Sequence, residues 1–209
     1  MNERQADLRA GYAAALSSLQ TGTYSGDGDI IDFSWYDSIS LLSTVLNTRM
    51  FTIQVGQASP AGVIKNPADT NMVAAGQMPQ GNKMYVNAIK MLYTSDEVRT
   101  EAEYIEIGKL FEQTVLNVKI QGKDTYGQWC LNEIMGNAFH GVIEPSTAGD
   151  NETPFGISRF HGIYPINLPI VLAAQTSFSI DLQHYTAPSA NLDGDKIQIS
   201  LSGILERIS

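Results

Sequence analysis

The strongest constraint on the fold is a strict two-residue alternation in the last third of the chain. Gln175–Leu182 sets Phe178, Ile180 and Leu182 against Ser177, Ser179 and Asp181, and Lys196–Leu205 sets Ile197, Ile199 and Leu201 against Gln198, Ser200 and Ser202. Successive side chains of a strand point to opposite faces, so each segment reads as a strand with one apolar face. The loop between them, Gln183–Asp195, holds Pro188 and an Asp193-Gly194 turn signal. Upstream, Ile163–Ile170 is extended, because Pro165 and Pro169 forbid helix and push their predecessors to β or polyproline conformation.

The same pattern recurs earlier. Arg49–Val55 alternates Met50, Thr52 and Gln54 with Phe51, Ile53 and Val55, and Thr114–Gln121 alternates Thr114, Leu116, Val118 and Ile120 with Val115, Asn117, Lys119 and Gln121. Gly122–Gly127 then turns the chain. Lys83–Thr94 carries apolar groups in both phases, Tyr85, Ile89, Met91 and Tyr93 against Met84, Val86, Ala88 and Leu92, which predicts a central strand covered on both faces. Ile30–Val45 fits a short helix or an apolar strand, and Trp129–Phe139 is apolar with weak period. Gly56–Asn82 and Gly141–Phe155 read as long loops.

Helical signals are confined to two places. Ala6–Gln20 puts Leu8, Tyr12, Leu16 and Leu19 on one helical face, although Gly11 weakens it and the stripe is narrow enough to need a partner surface. Ser95, with Asp96 and Glu97 in the first turn, opens a helix through Leu110 whose apolar face is Tyr104, Ile107, Leu110 and Phe111. The expected fold is mainly β, an antiparallel β-sandwich of jelly-roll type. It has an N-terminal helical arm and linker over residues 1–29, a single sandwich domain over 30–209, and one inserted helix.

Composition narrows the function classes. Net charge is -9 with 13 Lys plus Arg in 209 residues, which argues against a grip on nucleic-acid phosphates. Charged residues make up 17 %, below the roughly 25 % usual in soluble proteins, with Ser, Thr, Asn and Gln in their place. That texture suits surfaces buried against neighbours. The start has no leader-like apolar core and no stretch reaches the roughly 18 apolar residues of a spanning helix. The single Cys130 reads as an inert thiol among apolar neighbours, with His140 as the alternative partner for a nucleophile. His140, His161 and His184 have no metal-ligand spacing, and the paired histidines of a cupin are absent. Neither a nucleophile elbow nor a nucleotide-binding glycine loop occurs. Ser25–Asp29 has the composition of a calcium loop without its spacing, and the acidic run from Asp96 to Glu112 reads as a solvated helix face. No catalysis, cofactor or metal is expected.

Asn167–Leu172 followed by Gln175–Leu182, and Asp69–Met72 with Gly76–Pro79 ahead of the strand at 83–94, resemble the jelly-roll capsid proteins of tailless icosahedral bacteriophages. The loose N-terminal helix and the closing strand Ile197–Ile208 fit the same picture, and the resemblance spans about half the chain. It implies a viral structural protein, a capsid subunit of a virion assembled in the host cytoplasm. Its partners would be copies of itself and other virion proteins. The chain is short for the double jelly-roll members, so a single jelly roll or an auxiliary capsid protein is the better match. Leu8, Tyr12, Leu16 and Leu19 are the candidate assembly arm, docking in a neighbour's groove or packing on their own sandwich. The alternative function is a receptor- or carbohydrate-binding β-sandwich of a spike or fibre, with Trp35, Tyr36 and Trp129 as its aromatic platform.

Overall fold

The alternating segments pair as antiparallel strands in a computed structural model that describes residues 3–21, 28–59, 62–95, 100–121, 123–135 and 159–208. The described residues form, in chain order, α1 (Glu3–Thr21), β1 (Gly28–Ser40), β2 (Asn47–Met50), β3 (Asn82–Thr94), α2 (Glu101–Glu112), β4 (Thr114–Ile120), β5 (Lys123–Cys130), α3 (Leu131–Met135), β6 (Arg159–Leu172), β7 (Phe178–His184) and β8 (Lys196–Ile208). One sheet has the order β1-β8-β3-β6 and the other β2-β7-β4-β5. The pairs β1·β8, β2·β7, β3·β6 and β4·β5 are nested in sequence, each enclosed by the one before. The protein is thus mainly β, with few helices, in two antiparallel sheets.

Both sheets turn their apolar faces into one core. Trp35, Met84, Val86, Ile89, Met91, Tyr93, Ile197, Ile199 and Leu201 enter it from the first sheet, and Met50, Leu116, Val118, Phe178, Ile180 and Leu182 from the second. Each large aliphatic or aromatic side chain so buried contributes roughly 1.5–3 kcal/mol against the entropy of ordering the chain. The short helix α3 adds Leu131, Ile134 and Met135 to the same core.

Several elements differ from their sequence signals for local reasons. The two apolar phases of β3 arise from a bulge between Val86 and Ala88 that switches which parity faces inward: Met84 and Val86 before it, Ile89, Met91 and Tyr93 after it. The strand is central, but its double pattern is a phase change. β2 ends at Met50 instead of running to Val55, because Phe51 has φ +64° and gives its N–H to the Asp37 carboxylate at 2.6 Å instead of to a neighbouring strand. α2 begins after Thr100, whose hydroxyl and Glu103 form a reciprocal capping box, so Ser95 is not the cap; residues 96–99 lie outside the described residues.

The open segment Ile30–Val45 is mostly the edge strand β1, and Lys123–Gly127 belongs to β5 instead of a turn, the reversal being made at Gln121 with φ +54°. Within Trp129–Phe139, Leu131–Met135 is helical. Pro165 and Pro169 lie in edge strand β6, where the register with β3 jumps from Ile170 to Pro165. β1 already starts at Gly28, so Gly28 and Asp29 are ladder residues paired with Ile208 and Arg207, not part of a calcium loop; Ser25–Asp27 lie outside the described residues.

Candidate assembly surfaces

Three groups of residues could carry function: the arm helix, the aromatic and nucleophilic candidates, and a loop unit pinned to β1. The arm comes first. α1 lies on the outer face of the first sheet, where Tyr12, Ala15 and Leu16 pack against Ile30, Tyr85, Val171 and Ile204. The Tyr12 and Tyr85 rings are 6.4 Å apart and tilted, and the Tyr12 hydroxyl accepts a 2.7 Å bond from the Asn87 amide. Asn87 is the residue the β3 bulge frees from the ladder, so the bulge supplies the polar anchor of the seat. Gly11, a weakness for the isolated helix, lets the Tyr85 hydroxyl approach: a Cβ there would stand 3.3 Å from it. Among the described side chains the apolar contacts are made by Tyr12, Ala15 and Leu16, on the chain's own sheet; the side chains of Leu8 and Leu19 lie outside the described residues.

The aromatic candidates do not come together. Trp35 faces the core at 3 % exposure, and Tyr36, on the opposite face of β1, gives its hydroxyl to the Pro67 carbonyl. Trp129 lies edge-on to Tyr164 at 6.2 Å and joins β5 to β6. A buried indole cannot stack on a sugar, so Trp35 is corrected from platform to core.

The Cys130 thiol is half-buried and donates weakly to the Phe111 carbonyl at 3.4 Å near the end of α2; His140 lies outside the described residues. His161 is exposed on β6, whereas His184 is buried. Among the described residues no group of three His, Cys, Asp or Glu is placed to hold a metal, and no helix is long and apolar enough to cross a membrane.

The His184 ring fixes the junction of α2, β4 and β7. Thr114 gives its hydroxyl proton to the Leu110 carbonyl at 2.6 Å, so it can only accept from His184 Nδ1, 2.7 Å away. Burial pulls this imidazole below its ordinary value of 6.5. A depressed histidine leaves the unfolded chain with more bound protons, so its contribution is present above about pH 6.5 and declines as pH falls through the folded value. The stability of the protein should therefore fall below about pH 6.5 with a slope that His184→Asn, which keeps a donor but cannot titrate, flattens. Urea midpoints at pH 7.5 and 5.5 check this, and equal slopes in both proteins would refute it.

The third group escaped the sequence reading. Residues 51–81, between β2 and β3, are tied to β1 by the side chain of Asp37, which is 1 % exposed. Its Oδ2 accepts the Phe51 N–H, its Oδ1 accepts from Lys65 Nζ, and its backbone pairs with Thr70. Lys65 Nζ also donates to the Ser38 carbonyl at 2.9 Å, and the Asn71 amide bridges the Ser34 carbonyl and Tyr36 N–H at 2.7 and 2.8 Å. Burial pushes the Asp37 carboxyl above its ordinary range, against the opposing pull of Lys65. One residue thus holds the beginning and middle of the excursion, through its carboxylate at Phe51 and Lys65 and through its backbone at Thr70. What this site can do is hold a loop against the sheet. No protein-family model and no curated protein matches the chain.

Proposed function

We propose that the chain is a shell subunit: a single jelly roll that assembles with copies of itself and other virion proteins into a bacteriophage capsid in the host cytoplasm, without catalysis. The observation that carries this reading is the nested pairing. A ribbon of eight strands folded once in half pairs first with eighth, second with seventh, third with sixth and fourth with fifth. Rolling that ribbon gives the sheet orders β1-β8-β3-β6 and β2-β7-β4-β5. Jelly rolls also serve lectins and cupins, so fold alone does not choose among them. Support for the shell comes from the low charge, the amide- and hydroxyl-rich strands, the N-terminal helix seated through Tyr12, Ala15 and Leu16, and the long pinned loop. A carbohydrate-binding site draws no such support, because its aromatic candidates are dispersed.

Size-exclusion chromatography with light scattering tests the proposal. Concentration-dependent assembly is expected across salt and calcium conditions. A strict monomer at every concentration would defeat it.

A further inference from the structure

We propose that the loop unit between β2 and β3 is where two copies of this chain meet, excursion against excursion; this rests on the shell reading above and names its contact. Val55, Val63, Ile64 and Val73 are exposed there, by 36 %, 64 %, 64 % and 67 %. They belong to one hydrogen-bonded unit. The Val55 N–H bonds to the Met72 carbonyl at 3.0 Å, Gly56 N–H to Lys65 at 2.8 Å, and Ser59 N–H to Val63 at 2.8 Å, with Ala58 bridged to Ile64. β-Branched aliphatics standing out on a hydrogen-bonded unit form an unusual surface for a monomer and a usual one for an interface.

Charge identifies the occupant. From Phe51 to Gly81 the chain has one acid, Asp69, and one cation, Lys65, which is buried against Asp37, so the excursion carries almost no exposed charge in a chain of net -9. Asp69 is itself paired with Lys196 at 3.2 Å. Four of the ten exposed large hydrophobic residues among those described lie in this excursion. Two copies carrying nine excess negative charges repel over most of their surfaces, and like charges brought together cost several kcal/mol. The acid-poor excursion is where they can approach without that cost. Its anchoring by Asp37 removes much of the ordering entropy a free loop would lose on contact.

Sedimentation velocity on the full chain over a range of concentrations tests this, together with disulfide trapping of Ile64→Cys in a Cys130→Ser background and Ile163→Cys, exposed on β6, as the control. Wild type should self-associate. Val63→Asp with Ile64→Asp should weaken association at least about tenfold while the melting temperature stays unchanged, because both side chains are solvent-exposed. Ile64→Cys should cross-link into dimers well ahead of Ile163→Cys. Association of the double variant equal to wild type, or preferred cross-linking of Ile163→Cys, would overturn this contact and leave the shell reading standing. A wild type that stays monomeric would overturn both, as would a monomer that instead binds lipid vesicles through these residues.

Discussion

Lys65→Met is expected to destabilise the protein by about 3–5 kcal/mol at neutral pH, because it leaves the Asp37 carboxylate buried without its cation. The loss should shrink in acid. Asp37 is already raised above 3.8 by burial, and removing Lys65 raises it further. A raised acid contributes stability that is present below its unfolded value and is lost as pH climbs through its folded one, so the variant should be least impaired near pH 4 and most impaired above neutrality. Comparing urea unfolding of variant and wild type at each pH separates this from the opposite slope of His184. Adding Asp37→Asn to Lys65→Met should recover much of the loss, since an uncharged amide still accepts the Phe51 N–H and no longer needs a counter-ion. A single-variant cost under about 1 kcal/mol, or one flat with pH, would show that the pair does not hold the excursion.

The second large effect is at Gly203, which pairs with Val86 of β3 and Phe33 of β1 beside the β3 bulge. A Cβ at this position would lie 1.9 Å from the Tyr85 carbonyl oxygen and 3.0 Å from the Val86 Cα. Those are backbone atoms of the central strand, so no side-chain rotation relieves the overlap, and β3 and β8 would have to part. Gly203→Ala should therefore cost about 3 kcal/mol and disturb the bulge that positions Asn87 under Tyr12. Chemical denaturation measures the first consequence. Loss of helical circular dichroism as α1 leaves its seat measures the second, and a variant as stable as wild type would contradict both.

Most of the sandwich was legible in the alternation of β4, β7 and β8, where each phase has one fate. β3 shows why alternation can mislead: Met84, Val86, Ile89, Met91 and Tyr93 all face inward, and only a bulge at Asn87 makes that possible. A bulge leaves no motif, just a period that changes phase. The end of β2 was hidden for a similar reason, since Ile53 and Val55 continue the pattern while Phe51 turns the chain to satisfy Asp37. Thr100 displaced Ser95 as the cap because its partner Glu103 stands at the third helical position, a signal present in the sequence and outweighed by the acids after Ser95.

The arm was visible as a helix, but the packed residue Ala15 was not, because alanine carries little hydrophobic weight. The hub was the hardest to see. Asp37 and Lys65 are far apart in the chain, and the available clue was an acid in the inward phase of Phe33, Trp35 and Ile39. A buried charge demands a partner, and the sequence does not say where it will come from.

Electron microscopy of the purified protein at high concentration addresses the central claim most directly. Closed shells, rings or regular sheets of the chain alone are the predicted result. Monodisperse single particles under every salt and calcium condition would contradict the account.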